Sequence, residues 1–226
     1  MNILSLETST KNFSIAVLKD QKIIFERNMK LKDVLSSSIL PAIIQVLTKS
    51  KMSLARLDGF AVGLGPGSFT SLRVGLSTVK GLAFATKKPI AGISSLDILA
   101  MNVPEKYTQQ ICTLCDAKRN LFYCCFYEKQ NGLLKRKTDY LLLDRESIQQ
   151  KINKRTVLLG DGVKIWQEEP EAGDRDNFQY LDEKYWHPKA SHLAYLAAER
   201  FKKKKYDLAS KIVPIYLYAD DCQVQK

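Results

Sequence analysis

Apolar residues run in short bursts at the start of the chain, over Asn2 to Glu7, Phe13 to Lys19 and Lys22 to Arg27, and bursts of this length predict strands. Lys19-Asp20-Gln21 predicts a tight hairpin between the second and third. From about Asp33 to Thr48 the spacing changes to three and four, with Leu35, Ile39, Leu40, Ile43, Ile44 and Leu47 apolar, which predicts a helix. Pro41 inside it removes one backbone hydrogen bond and bends the axis. The apolar arc of this helix is wider than one sheet face needs. Phe60-Ala61-Val62-Gly63-Leu64 reads as a buried strand, and Gly65-Pro66-Gly67 as a forced turn, because glycine takes positive φ cheaply and proline locks its own φ. Ser68 is placed to cap a helix running to about Ala85, its hydroxyl accepting from the first amides. A strand near Ile90 to Ile93 and a helix from Ser95 to Met101 complete an α/β lobe with a mixed sheet.

Asn102-Val103-Pro104-Glu105 marks a boundary, dividing the chain into lobes of residues 1–102 and 103–226. Beyond it, Gln110 to Leu114 and Leu121 to Glu128 predict paired strands around a turn at Asp116 to Asn120. Val157-Leu158-Leu159 predicts another strand, ended by Gly160-Asp161-Gly162. Residues 167–184 are acidic and weakly periodic, which predicts a surface excursion, and Pro188 to Lys205 predicts a helix.

Charge and cysteine content narrow the compartment and the partners. The net charge is +11, with +7 carried by residues 1–102. The cations are 26 lysines and only 9 arginines, and lysine solvates surfaces where arginine makes forked phosphate contacts. Long-range attraction to a polyanion follows, but no aromatic-interleaved RNA motif accompanies it. The Lys202 to Lys205 run closes a helix, where cations suit the negative dipole end. No apolar run approaches the ~20 residues that span a bilayer, and Met1-Asn2-Ile3-Leu4 enters a strand without a charged leader, so a cytoplasmic protein with no membrane contact is expected. The five cysteines fit that compartment. Cys112 and Cys115 invite a redox or zinc reading, but residues three apart in a strand face opposite ways. His187 and His192 would lie about 140° apart on any shared helix, so no metal site is expected.

The segment Gly65-Pro66-Gly67-Ser68-Phe69-Thr70-Ser71-Leu72-Arg73-Val74-Gly75 sets a strand, a turn and a helix start together, a generic anion-binding geometry. It lacks the endings of a P-loop and of a dinucleotide site. It resembles the signature of the bacterial TsaB (YeaZ) family, part of the TsaD/TsaB, glycoprotease-like group of the actin-like ATPase superfamily. Leu4-Ser5-Leu6-Glu7-Thr8-Ser9-Thr10, Lys80-Gly81-Leu82-Ala83-Phe84-Ala85, Gly92-Ile93-Ser94-Ser95-Leu96, Asp116-Ala117-Lys118-Arg119 and Pro214-Ile215-Tyr216-Leu217 extend the likeness. Ser71 stands where the family has glycine, and Tyr218 where it usually has arginine.

The resemblance implies an actin-like (ribonuclease H-like) fold with two related lobes. It implies a non-catalytic partner of a TsaD-type transferase in forming N6-threonylcarbamoyladenosine at position 37 of tRNAs reading ANN codons. A TsaE-type ATPase and tRNA would join through the complex, and the chain alone would pair with itself. No intrinsic cofactor is expected; a nucleotide would belong to the partner interface. The implied partner-binding face lies on the two long helices, through Leu35, Ile39, Ile43, Phe69, Leu72, Arg73, Gly75, Leu76 and Val79, with Ser71, Gly75 and Thr78 as a shallow stripe admitting a second helix. Glu7, Thr8, Ser9 and Thr10 occupy the place of the superfamily's first phosphate loop, and Gly160-Asp161-Gly162 could be cast as its second. The alternative is therefore a small-molecule kinase or ATPase of the same fold acting alone. Direct tRNA binding is a third reading, recognisable by affinity that collapses with salt.

Overall fold

The structure, a computed structural model, describes residues 1–30, 34–130, 133–168 and 177–218. It divides into two units. The first holds Met1–Ile98 and Pro188–Ile215, and the second holds Leu99–His187 and the chain from Tyr216. The division expected at residues 102 and 103 therefore needs a correction, because the chain returns to its first unit at Pro188.

Strands β1 (Asn2–Glu7), β2 (Asn12–Lys19) and β3 (Lys22–Lys30) form an antiparallel meander. Helix α1 (Leu35–Lys49) follows; the expected start at Asp33 lies outside the described residues. Next come β4 (Gly59–Gly63), α2 (Phe69–Thr86), β5 (Ile90–Ile93) and α3 (Ser95–Ala100). The sheet order is β3-β2-β1-β4-β5, with β1, β4 and β5 parallel. Alternation along the strands gives the sheet two apolar faces. Leu4, Leu6, Phe13, Ile15, Val17, Phe60 and Val62 pack with the buried residues of α1 and α2.

In the second unit β6 (Gln110–Lys118), β7 (Leu121–Gln130) and β8 (Leu133–Arg136) form a second meander. The β6–β7 turn places Lys118, Arg119 and Asn120 at positive φ. Strand β9 (Leu141–Asp144) also pairs with β7 and leads into α4 (Arg145–Gln149), whose N-cap Asp144 accepts from Ser147 N. Then β10 (Thr156–Leu159), α5 (Gly162–Glu168) and β11 (Phe178–Tyr180) complete it. The order β11-β10-β6-β7-β8 repeats the plan of the first sheet, with meander strands on one side of β6 and parallel strands on the other. The two-lobe relationship is thus visible in topology. Buried Trp166 anchors this core between Phe122 and Phe178. The expected surface excursion at 167–184 is corrected by Phe178 and Leu181, which are buried; residues 169–176 lie outside the described residues.

The chain ends its return as α6 (Ala190–Lys202), which covers the opposite face of the first sheet against Ile3, Leu18, Ala61 and Ala91. Its N-cap, Lys189, makes no side-chain cap. The strands supply one instead: Ser191 N donates to Glu26 Oε1 at 2.8 Å and Ala190 N to Ser14 Oγ at 3.0 Å. The outer edge of β5 is covered by Asp207, whose N donates to Ile90 O and whose Oδ2 accepts from Gly92 N at 2.7 Å.

Cys112 and Cys115 both lie in β6, Cys124 and Cys125 in β7, and none of the four is in a disulfide. Burial pushes the Cys112 thiol well above its ordinary 9.0.

Candidate functional site

Three glycines of the first unit mark places where two segments meet too closely for a side chain. A Cβ on Gly67 would overlap Ser9 O, one on Gly75 would overlap Thr8 Oγ1, and one on Gly63 would overlap the Glu7 carboxylate. The turn from Gly65 to Ser68 thus lies directly on the β1–β2 loop. Ser68 N donates to Ser9 O at 2.8 Å, and Thr8 Oγ1 to Ser71 O at 3.0 Å. Gly65 itself takes φ of +86°. Ser68 occupies the N-cap position of α2 as predicted, but its hydroxyl bonds Ser71 Oγ at 3.0 Å rather than the helix amides. Ser71 is buried there, and Tyr218 in the second unit donates to Ala117 O at 2.6 Å.

Glu7, Thr8, Ser9 and Thr10, the expected phosphate loop, are all buried. Ser9 N donates to Glu7 Oε1 at 2.6 Å and Ser95 Oγ to Glu7 Oε2 at 2.9 Å. Desolvation raises the pKa of Glu7 above its ordinary 4.5, and these hydrogen bonds oppose the rise. The Ser9 amide is thus already given to an acid of the same chain. In the second unit Asp161 Oδ1 accepts from Asp116 N at 3.1 Å, Asp116 pairs with Lys118, and burial raises Asp161. A Cβ on Gly160 would overlap Leu114 O. Among the described residues no group of three His, Cys, Asp or Glu side chains is placed to hold a metal ion, and no helix is long and apolar enough to cross a membrane.

The two long helices require a correction of side. Leu35, Ile39, Ile43, Leu76 and Val79 pack inward on their own sheet, Leu72 is buried beside Gly65, and Gly75 and Ser71 face the β1–β2 loop. These side chains are not a surface that a partner can reach. Of the nine expected contact residues only Phe69 and Arg73 stand outside, with the guanidinium 3.8 Å from the ring centroid. The outer faces are built from other residues. Leu40 and Ile44, four apart, are exposed on α1, and Phe84 on α2 is 85% exposed. Ser77, Gly81 and Ala85 lie exposed at a spacing of four on α2, and a Cβ on Gly81 would meet nothing within 4 Å. The small-residue stripe open to solvent is this one. Its signal in the sequence is the surplus width of the apolar arc on α1 and a glycine in mid-helix. An open groove of about 800 Å³ runs beside α1, lined by Phe13, Met29, Pro41 and Ile44 among others.

Comparison with known proteins agrees with this architecture. The family model for tRNA N6-adenosine threonylcarbamoyltransferase (TsaD) matches residues 32–163. The tRNA threonylcarbamoyladenosine biosynthesis protein TsaB of Buchnera aphidicola subsp. Schizaphis graminum is 36% identical over 167 residues, covering 72% of this chain and 79% of that protein. TsaB of Escherichia coli K12 is 27% identical, covering 96% of this chain and 94% of its own length. Among solved structures, YeaZ from Pseudomonas aeruginosa superposes with a TM-score of 0.83 at 26% identity, covering 96% of this chain and 99% of that one. With the fold and the length of these relatives both shared, the chain belongs to the bacterial TsaB (YeaZ) family of actin-like proteins.

Proposed function

We propose that this protein is a non-catalytic partner of a TsaD-type transferase in the formation of N6-threonylcarbamoyladenosine at position 37 of tRNAs reading ANN codons. It docks through the outer faces of α1 and α2. The observation that carries this reading is the exposure of Leu40, Ile44, Phe69 and Phe84 on the same two helices as the open stripe Ser77, Gly81 and Ala85. Large apolar side chains beside a small-residue stripe suit close packing against another helix, and each such side chain yields about 1.5–3 kcal/mol when fully buried. The buried β1–β2 loop supports a role without chemistry, because Ser9 N, Thr8 Oγ1 and Thr10 Oγ1 are already bonded within the chain. A TsaE-type ATPase and tRNA are placed as further members of the assembly, and self-association through the same face is expected when the transferase is absent. The work is done in the cytoplasm.

The test is size-exclusion chromatography with light scattering of this chain mixed with the TsaD homologue of the same cell. Ile44→Arg and Phe84→Arg each leave the core intact and place a charge on the docking face. A heterodimer lost in both variants supports the proposal. ATP turnover by the chain alone, with a complex indifferent to both changes, would return the kinase reading to the front.

A further inference from the structure

The buried carboxylate under the turn has a use of its own. We infer that Glu7 is a positioning residue, whose two oxygens fix both ends of the Gly65–Ser68 turn and thereby set Phe69 and Arg73 for the partner. The partner clause rests on the docking face proposed above.

Two short routes lead from the carboxylate. Oε2 accepts from Ser95 Oγ at 2.9 Å, and Ser95 Oγ accepts from Gly65 N at 3.1 Å. Ser95 N also donates to Gly65 O at 2.7 Å, so Ser95 holds both polar groups of the first turn residue. Oε1 accepts from Ser9 N at 2.6 Å, and Ser9 O accepts from Ser68 N at 2.8 Å, at the last residue before α2. The helix then begins with Phe69, and Leu72 N donates to Ser68 O at 2.9 Å. Gly63 is the floor that lets the carboxylate stand there, since any Cβ would occupy its place.

The chemistry asks for a carboxylate. Both neighbours present donors, the Ser9 N–H and the Ser95 O–H, and each meets one oxygen of the Glu7 carboxyl group. Glutamine offers one acceptor oxygen, so either the Ser9 N–H or the Ser95 O–H loses its partner on residue 7. A buried carboxylate without a cation is costly, and a site that only filled space would be served better by an apolar side chain.

Glu7→Gln and Ser95→Ala are compared with wild type by hydrogen-exchange mass spectrometry on the whole chain. Removing an acceptor strands a buried donor, so amides of residues 64–76 should exchange at least about tenfold faster. Amides of α1 and of the β2–β3 hairpin should stay within about twofold. Affinity for the TsaD homologue, measured by biolayer interferometry with Phe69→Ala as reference, should fall about tenfold for Glu7→Gln. Uniform acceleration throughout the first unit, or none at 64–76, would overturn the inference. Should Glu7→Gln fail to fold, Ser95→Ala keeps the carboxylate and cuts one route, and faster exchange confined to the Gly65 end supports the inference. If Phe69→Ala binds as wild type, the docking face is wrong and the exchange pattern alone decides the role of Glu7. If Phe69→Ala weakens binding and Glu7→Gln does not, the positioning role is wrong.

Discussion

Gly81 gives the sharpest test, because one substitution should move stability and binding in opposite directions. It lies well inside the 18-residue helix α2, is exposed, and has open space where a Cβ would go. Nothing in its own fold requires glycine there, and glycine in a helix interior costs about 0.5–1 kcal/mol relative to alanine through backbone entropy. Gly81→Ala should therefore stabilise the isolated chain by that amount, which for a chain of this size is a rise of about 1–4 °C in melting temperature. A partner helix packed on the Ser77, Gly81 and Ala85 stripe meets the new methyl directly. Overpacking of this kind costs about 1–3 kcal/mol, so the dissociation constant should rise about 5- to 150-fold. Scanning calorimetry of the chain and titration calorimetry with the TsaD homologue measure the two effects on the same samples. A stabilised variant that binds as well as wild type would refute the docking geometry. A variant that is not stabilised would refute the claim that Gly81 serves nothing inside its own fold.

Three further outcomes follow from contacts in the first unit. Gly75→Ala, on the inner side of the same helix, overlaps Thr8 Oγ1 and should destabilise by about 1–3 kcal/mol in urea denaturation, the opposite sign to Gly81→Ala. For Glu7, burial raises the folded pKa above the unfolded 4.5, so the folded state binds more protons between those two values, and its contribution is lost as pH rises from 4.5 through the folded pKa. Urea midpoints of wild type relative to Glu7→Gln should fall across that window and level off above it; a difference that rises with pH would contradict the sign. Asp207→Ala removes the acceptor for Gly92 N and the partner of Arg200 on the β5 edge, which should cost about 1–3 kcal/mol and speed exchange at the Gly92 amide; unchanged exchange would show the edge to be held by other contacts.

The strands and long helices were legible because their periods are local. β1, β5 and the span of α2 follow from runs of apolar residues between turn formers, and β2, β3 and α1 differ from expectation at their ends. What periodicity does not carry is an address. Leu72, Leu76 and Val79 announce an apolar stripe, and so do Leu40 and Ile44, but nothing local says which stripe meets the sheet of the same chain. Ser71 and Gly75 were read as a seat for a foreign helix, yet Thr8, more than sixty residues earlier, already occupies it. The return of α6 to the first sheet was hidden for the same reason, since its caps are Ser14 and Glu26 on distant strands. In the second unit β8 has little alternation, with three of its four residues exposed, and its pairing with β7 is a tertiary choice.

The two units solve one problem with opposite placements of the same chemistry. Each has a parallel strand running through a glycine turn into a helix, the arrangement whose free amides attract anions. In the first unit the acid stands at the end of the central strand, where Glu7 takes the Ser9 amide and, through Ser95, reaches Gly65. In the second the acid stands on the turn itself, where Asp161 takes the Asp116 amide at the end of the central strand's regular pairing. Both acceptors come from the chain. A phosphate entering either place would have to displace a carboxylate already bonded to the backbone, and would add its own charge beside it. That competition supports the proposed reading of the actin-like frame as a docking body over the kinase alternative.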